Sequence, residues 1–219
     1  MKSRLTILFL LVSQLVSSQD KTPADYKLIL KTSPLNLFDP WNGSLLNLGA
    51  EVKLYSNIAS YSQLGLYIPG IYILGDLTQN KGFQVKEEIK LYLNKKGLTK
   101  GDYISLELSY SNQSYNRTDT IDLTRIAGLK YAKKYYSERS FEGIIFQYGS
   151  QFTKLKWLVI DIYGGLGIRF NHINCSLTQE EAENRQLGDW DNPENNAQKM
   201  GNNIIPRLNF GIKLGYKLR

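Results

Sequence analysis

Residues 46–54 read Leu-Asn-Leu-Gly-Ala-Glu-Val-Lys-Leu, so apolar and polar positions alternate without a break. Successive side chains of a β-strand point to opposite faces, which gives such a stretch one apolar face and one polar face. Residues 207–218 repeat the pattern, with Leu208 and Phe210 on the apolar face and Arg207 and Lys213 on the polar face. An amphipathic helix would need a period of 3.6 residues, so both stretches are predicted to be β-strands.

The same alternation recurs in six further segments, near residues 26–37, 60–71, 83–94, 103–111, 141–152 and 157–170. The links between the strands alternate in length. Short turns are expected at 56–59, 95–102 and 153–156, and longer loops at 38–43, 72–82, 112–140 and 171–203. Transmembrane barrels alternate in this way because one rim carries tight turns and the other carries extended loops. The sequence therefore predicts an all-β fold, an eight-stranded antiparallel up-and-down transmembrane β-barrel with short periplasmic turns and longer outer loops.

The first residues have the layout of a secretory signal peptide. Lys2 and Arg4 precede an apolar run over residues 5–16, which ends at the small Ser17 and Ser18. The run is too short for a membrane-spanning helix. We expect a signal peptide at 1–18, cleaved before Gln19 or one bond later, and a single domain at 19–219. The expected location is the outer membrane.

A soluble lipocalin-like barrel in the periplasm would show the same alternation, with its apolar face turned inward. The glycines favour the membrane, because a narrow interior needs small residues beside large ones. They fall on the polar face at Gly49, Gly65, Gly143, Gly149, Gly165, Gly167, Gly211 and Gly215. Aromatic side chains near the predicted strand ends are interpreted as membrane girdles. These are Tyr55, Tyr61, Tyr72, Phe83, Tyr103, Phe152, Trp157 and Phe170.

The polar face also collects charged residues from several strands, which would meet across a narrow interior. They are Glu51, Lys53, Lys86, Glu88, Lys90, Glu107, Asp161, Arg169, Arg207 and Lys213. Charges removed from water are tolerable only with partners, so we interpret the set as a lumen-facing network of buried ion pairs. The alternative is a narrow pore. Glu87 departs from the pattern by falling on the apolar face, and we expect it near a rim.

Two of the long loops carry opposite charge and are expected to dock on each other. The first has Arg125, Lys130, Lys133 and Lys134, and the second has Glu180, Glu181, Glu183, Asp189, Asp191 and Glu194. The basic loop is a candidate interaction loop, since Arg and Lys suit the phosphates of lipopolysaccharide or an acidic partner.

Few side chains in this sequence suit nucleophilic catalysis or metal binding, because it contains a single His and a single Cys. His172 lies near Ser176 and the acidic Glu180 and Glu181, so a Ser-His-acid lipid hydrolase is the enzymatic alternative. We expect a lone surface histidine instead, and no metal or cofactor. The net charge of +7 is scattered along the chain, which does not favour nucleic acid.

Several segments resemble a family of small outer-membrane barrels from Bacteroidetes-type bacteria, the domain of unknown function DUF3575. The resemblance is carried by residues 31–37, 48–51, 81–83, 161–169 and 211–216. It implies an outer-membrane barrel without an assigned catalytic or binding residue. The carboxyl terminus departs from many outer-membrane barrels, because the chain ends on Arg219 and not on an aromatic residue.

The expected function is therefore a non-enzymatic structural or interaction protein of the outer membrane. A narrow pore, a lipid-modifying enzyme and a soluble periplasmic lipocalin-like binding barrel are the alternatives. The expected partners are outer-membrane lipid, with lipopolysaccharide as a candidate, and the barrel-insertion machinery during biogenesis. Nucleic acid is not expected, and the sequence identifies no specific protein partner.

Overall fold

The structure, a computed structural model, describes residues 28–38, 43–69, 78–93, 100–124, 128–153, 155, 157–186 and 200–218. The predicted signal peptide, Tyr72, Arg125, Asp189, Asp191 and Glu194 lie outside these ranges. The predicted count of strands is confirmed, because eight antiparallel strands form one ring and there is almost no helix.

The strands follow one another around the ring in chain order. They are β1 (Leu28–Thr32), β2 (Leu45–Tyr55), β3 (Ile58–Tyr67), β4 (Thr78–Tyr92), β5 (Gly101–Leu123), β6 (Leu129–Thr153), β7 (Leu158–Cys175) and β9 (Gly201–Leu218). The ring closes where β1 pairs with β9, from Leu28 opposite Leu218 to Thr32 opposite Leu214. A two-residue strand, β8 (Arg185–Gln186), lies outside the ring against β5.

The first strand is shorter than expected. The alternation near residues 26–37 predicts one strand, but β1 stops at Thr32 and a 3-10 helix spans Pro34–Phe38. Proline has no backbone N–H to donate to a neighbouring strand, which accounts for the change at Pro34.

The loop predicted at 112–140 is wrong, because most of it is a long β-hairpin. Pairing between β5 and β6 runs without interruption from Gly101 opposite Gln151 to Leu123 opposite Leu129. β7 accompanies β6 only as far as Ser137 opposite Cys175, so the end of the hairpin projects beyond the ring. The outer loop predicted at 171–203 is also partly regular, since β7 continues to Cys175 and β9 begins at Gly201.

A small second core packs against this projecting part of the hairpin. Ile121, Tyr135 and Leu177 are its buried members. The short helix α1 (Gln179–Glu183) follows, and its Ala182 packs against the same core. Thr178 caps α1, with its side chain accepting a hydrogen bond from the backbone of Glu181. The hairpin and α1 thus form an ordered projection at the long-loop end of the ring.

The two faces of the ring differ in polarity. Large apolar side chains point outward and are exposed on every strand from β2 to β7 and on β9, as with Leu208 at 77% and Phe210 at 75%. The inward positions are mostly polar or charged, and Glu51, Glu88, Lys90 and Asp161 are fully buried. In the described ranges, none of the helices is both long and apolar enough to cross a membrane.

Candidate functional site

Two lysines and two carboxylates meet at the centre of the ring, near the end that carries the short turns. Lys31 Nζ lies 2.6 Å from Glu51 Oε2 and 2.7 Å from Asp161 Oδ2. Lys90 Nζ lies 3.1 Å from Glu51 Oε2 and 2.5 Å from Asp161 Oδ2. All four side chains are fully buried. Each charge therefore faces two charges of opposite sign, which is the condition under which buried ions are tolerated.

Neutral donors complete the coordination of the two carboxylates. The Tyr92 hydroxyl donates to Glu51 over 3.0 Å, and the Tyr103 hydroxyl donates to Asp161 over 2.6 Å. The side-chain amide of Gln151 donates to Glu51 and its oxygen accepts from Lys31. The buried acids are thus held by several elements at once, which fixes their positions.

Two more ion pairs extend this arrangement along the axis of the ring. Lys213 Nζ lies 2.5 Å from Glu88 Oε2, and Lys86 Nζ lies 3.2 Å from Glu107 Oε1. Gln147 also donates to Glu107. With the four central residues, these side chains make up the inner ion-pair cluster, namely Lys31, Glu51, Lys86, Glu88, Lys90, Glu107, Asp161 and Lys213. It has four cations and four anions.

Tyrosine rings separate the layers of the cluster. The Lys213 ammonium lies 4.3 Å from the centre of the Tyr61 ring and 4.5 Å from that of Tyr163. The Lys90 ammonium lies 4.2 Å from the centre of the Tyr103 ring. Cations are attracted to the face of an aromatic ring, and more strongly where water is excluded. The rings therefore fill the interior and stabilise the charges.

Of the ten residues predicted to face the interior, eight are buried inside the ring. Lys53 and Arg207 are on the same inner face but only half-buried. The sequence prediction missed Lys31 and the amides Gln147 and Gln151. It also placed Tyr61 and Tyr103 in an outer girdle, which is wrong, since both are inside and at most 1% exposed. Tyr61 is two residues from Gln63 and Tyr103 is four residues from Glu107, so the two-residue period places both tyrosines on the polar inner face.

Towards the long-loop end the interior changes from balanced ion pairs to arginine and aromatic side chains. The guanidinium carbons of Arg169 and Arg207 lie 4.9 and 5.7 Å from the centre of the Phe141 ring. Arg139 donates to the side-chain oxygen of Gln113 over 2.5 Å and lies beside Tyr115. This part of the interior is basic, although its arginines retain close contacts.

The opposite charges of the two projecting segments meet as expected. Lys133 Nζ lies 2.6 Å from Glu181 Oε1, and the Tyr131 hydroxyl donates to the same oxygen over 2.8 Å. Hydrogen bonds from Lys133, from the backbone of Thr178 and from Tyr131 lower the pKa of Glu181 to about 2. Lys130 pairs only loosely with Asp122, at 3.6 Å, and Lys134 is exposed.

A second polar cluster connects the two strands of this projection to β8. Tyr135 donates to Asp119 over 2.6 Å and accepts a hydrogen bond from Arg185. Burial, reinforced by the neighbouring Asp119, raises the pKa of Tyr135 above its usual value. Arg117 completes the group through its contact with Asp119 at 2.7 Å.

The residues of the imagined hydrolase are not brought together. The two ring nitrogens of His172 contact Asn202 and Asn174, at 2.7 and 3.2 Å. The Ser176 hydroxyl accepts from the backbone of Tyr136, and Glu181 is held by Lys133. A triad needs its base to contact both the nucleophile and an acid, and His172 contacts neither. Within the described ranges, no group of three His, Cys, Asp or Glu side chains could hold a metal ion.

Glu87 does not lie near a rim as predicted. It points outward from the middle of β4, between Val85 and Ile89, and is paired across the sheet with Ser62 and Leu108. The Ser62 hydroxyl donates to its carboxylate over 2.8 Å. Glu87 is therefore an acidic side chain with apolar neighbours along its own strand on the outward face.

Comparison with known proteins identified no relative: no family model, no curated protein and no solved structure matches the chain. The resemblance to the DUF3575 barrels stays a prediction.

Proposed function

We propose that the chain is an outer-membrane β-barrel that acts as a non-enzymatic anchor and presents the β5–β6 hairpin with α1 as an interaction module. The observation that carries the proposal is the inverted polarity of the ring. Apolar side chains project outward, while charged and polar side chains are buried inside. In water this arrangement would expose a broad apolar surface, whereas in a bilayer that surface faces lipid.

The strand pairing supports the same placement. Every strand of the ring has a paired neighbour on both sides, and the ring closes through the pairing of Leu28–Thr32 with β9. A closed ring is the one β-structure that satisfies its backbone hydrogen bonds within hydrocarbon. A lipocalin-like binding barrel would instead keep an apolar interior for its ligand, and the interior of this ring is polar.

The inner ion-pair cluster favours an anchor over a pore. Its eight charges are all at most a few per cent exposed, and tyrosine rings pack between them. Small barrels of eight strands have interiors that side chains fill, whereas open aqueous channels occur in barrels of about 16 strands. Contacts with other molecules then fall to the projecting hairpin.

The test of this proposal is membrane fractionation combined with heat-modifiable migration in gels. We expect the chain in the outer-membrane fraction, with a folded form that migrates faster than the boiled form. A matched variant, Leu208→Glu with Phe210→Glu, places two charges on the outward face and should reduce recovery in that fraction. Recovery of the unaltered chain in the periplasmic supernatant without detergent would refute the proposal.

A further inference from the structure

The projecting part of β6 has one edge that none of the described strands covers. β6 is paired with β5 from Leu129 to Gln151, but its pairing with β7 ends at Ser137. Beyond that point one more hydrogen bond reaches this edge, donated by the backbone N–H of Ser176 to the Tyr136 carbonyl over 3.0 Å. From Tyr135 back to Leu129, no described residue bonds to the outer edge of β6.

The direction of the free backbone groups follows from the same contact. In an antiparallel strand, the N–H and C=O of one residue point to the same side, and the side alternates along the chain. Because the Tyr136 carbonyl points towards β7, the backbone groups of Lys134, Ala132 and Lys130 point to that side as well. Among the described residues, nothing bonds to the outward backbone groups of these three, which have the spacing of a β-ladder.

The side chains along this edge are basic and well exposed. Lys130 and Lys134 are exposed and flank Ala132, and Lys133 on the other face is half-buried against Glu181. Leu129 and Tyr131 add exposed apolar surface, at 55% and 37%. A strand laid along this edge would find backbone partners, a small side chain at its centre and two ammonium groups beside it.

We propose that this edge binds an extended acidic segment of a partner protein by strand addition. Strand addition uses main-chain hydrogen bonds for affinity and alternate side chains for specificity. Carboxylates at alternate positions of the added strand would face Lys130 and Lys134, and opposite charges directly across a ladder stabilise the pair. This inference rests on the proposed role of the hairpin as the exposed part of an anchored protein.

The lysines also argue against a second copy of this chain as the occupant. In the antiparallel register centred on Ala132, Lys130 of one copy would face Lys134 of the other. Like charges directly opposite destabilise a strand pair, and lysines are a common means of preventing such association at open edges. The edge therefore disfavours pairing with the same edge of a second copy and favours pairing with an acidic strand.

The experiment measures fluorescence anisotropy of a labelled octapeptide of alternating Glu and Val, added to the full-length folded protein in detergent. We expect saturable binding that weakens with salt. A peptide with Lys in place of Glu should bind at least about tenfold more weakly, because its ammonium groups would face Lys130 and Lys134. A tenfold change in affinity corresponds to about 1.4 kcal/mol.

The decisive variants change only Ala132. Ala132→Pro removes the N–H that points to the open edge and leaves the bonds to β5 intact, so the hairpin should still form. It should weaken binding of the acidic peptide by about tenfold or more, as expected for the loss of main-chain bonds. Ala132→Val keeps the N–H and should bind like the unaltered chain.

Three outcomes would overturn the proposal. They are no binding of the acidic peptide, equal binding by the Ala132→Pro and Ala132→Val variants, and a dimer in light scattering that Ala132→Pro dissociates. Fractionation keeps the two proposals apart. If the chain is in the membrane fraction but does not bind the peptide, strand addition alone is refuted. If the chain is soluble and binds the peptide, the membrane anchor alone is refuted.

Discussion

The phenol ring of Tyr61 lies directly against the backbone of Gly49, so that a Cβ at Gly49 would be 2.5 Å from the Tyr61 hydroxyl oxygen and 2.6 Å from its ring. Tyr163 bears the same relation to Gly211. The tyrosines that contact Lys213 thus reach across the interior only because the neighbouring strands carry glycine at these points.

Gly49→Ala is expected to destabilise the folded ring by about 1–3 kcal/mol, because the added methyl must displace the Tyr61 ring from a packed interior. The control is Gly164→Ala, where the nearest neighbouring atom is 4.0 Å from the added Cβ. Urea unfolding followed by gel migration measures both. Equal midpoints for the two variants would contradict the packing argument.

Asp161→Asn is expected to cost about 3–5 kcal/mol of stability, because it leaves buried cations without their shared anion. Asp161 contacts Lys31, Lys90 and Tyr103, so one substitution weakens three contacts. Asp122→Asn is the matched control, since Asp122 pairs with Lys130 in an exposed site. Denaturant midpoints compare them, and a loss no larger than that of the control would show that the cluster is not a stability element.

The unaltered chain is expected to give no conductance steps in planar bilayers, because the inner ion-pair cluster fills the ring. Replacing Lys31 and Glu51 together by serine removes one cation and one anion, so no net charge is left buried. This double variant should admit ions where the unaltered chain does not. Regular steps from the unaltered chain would favour the pore alternative.

The contact between Lys133 and Glu181 should titrate in acid. Because the folded pKa of Glu181 is lowered from 4.5 to about 2, its contribution to docking of α1 is present above pH 4.5 and lost as the pH falls through about 2. The carboxyl carbon shift of Glu181 in NMR reports this midpoint. In Lys133→Gln the midpoint should move up towards 4.5, and an unchanged midpoint would separate Glu181 from Lys133.

Glu87→Leu is expected to stabilise the protein in lipid. A carboxylate on the lipid-facing side of a membrane strand is unfavourable by an amount that depends on depth, and among the described residues it is the Ser62 hydroxyl that bonds to the Glu87 carboxylate. Ser62→Ala is the opposing variant and should destabilise. Thermal unfolding in vesicles checks both, and a lower midpoint for Glu87→Leu would show that this carboxylate contributes favourably through another contact.

The strand count and most of the inner face could be predicted from sequence because the strands of the ring largely keep a two-residue period. The projecting hairpin could not, because one of its faces carries polar residues such as Asn116 and Lys134 and the other mixes Ile121 with Asp119, so apolar and polar residues do not alternate in the sequence. Tyr61 and Tyr103 were misassigned because tyrosine suits both a membrane interface and a packed interior. The position of Glu87 depends on the register of β4, which the pattern alone does not fix.

The closing strand β1 has a consequence for the order of assembly. Residues 28–32 pair with residues 214–218, so the ring is complete only when its first and last strands have met. Lys31 is carried on that strand and contacts both Glu51 and Asp161. Without Lys31 on its strand, these two acids would share only Lys90. Lys31 therefore links the pairing of the first and last strands to the charge balance of the interior, and we expect completion of the ring to be cooperative.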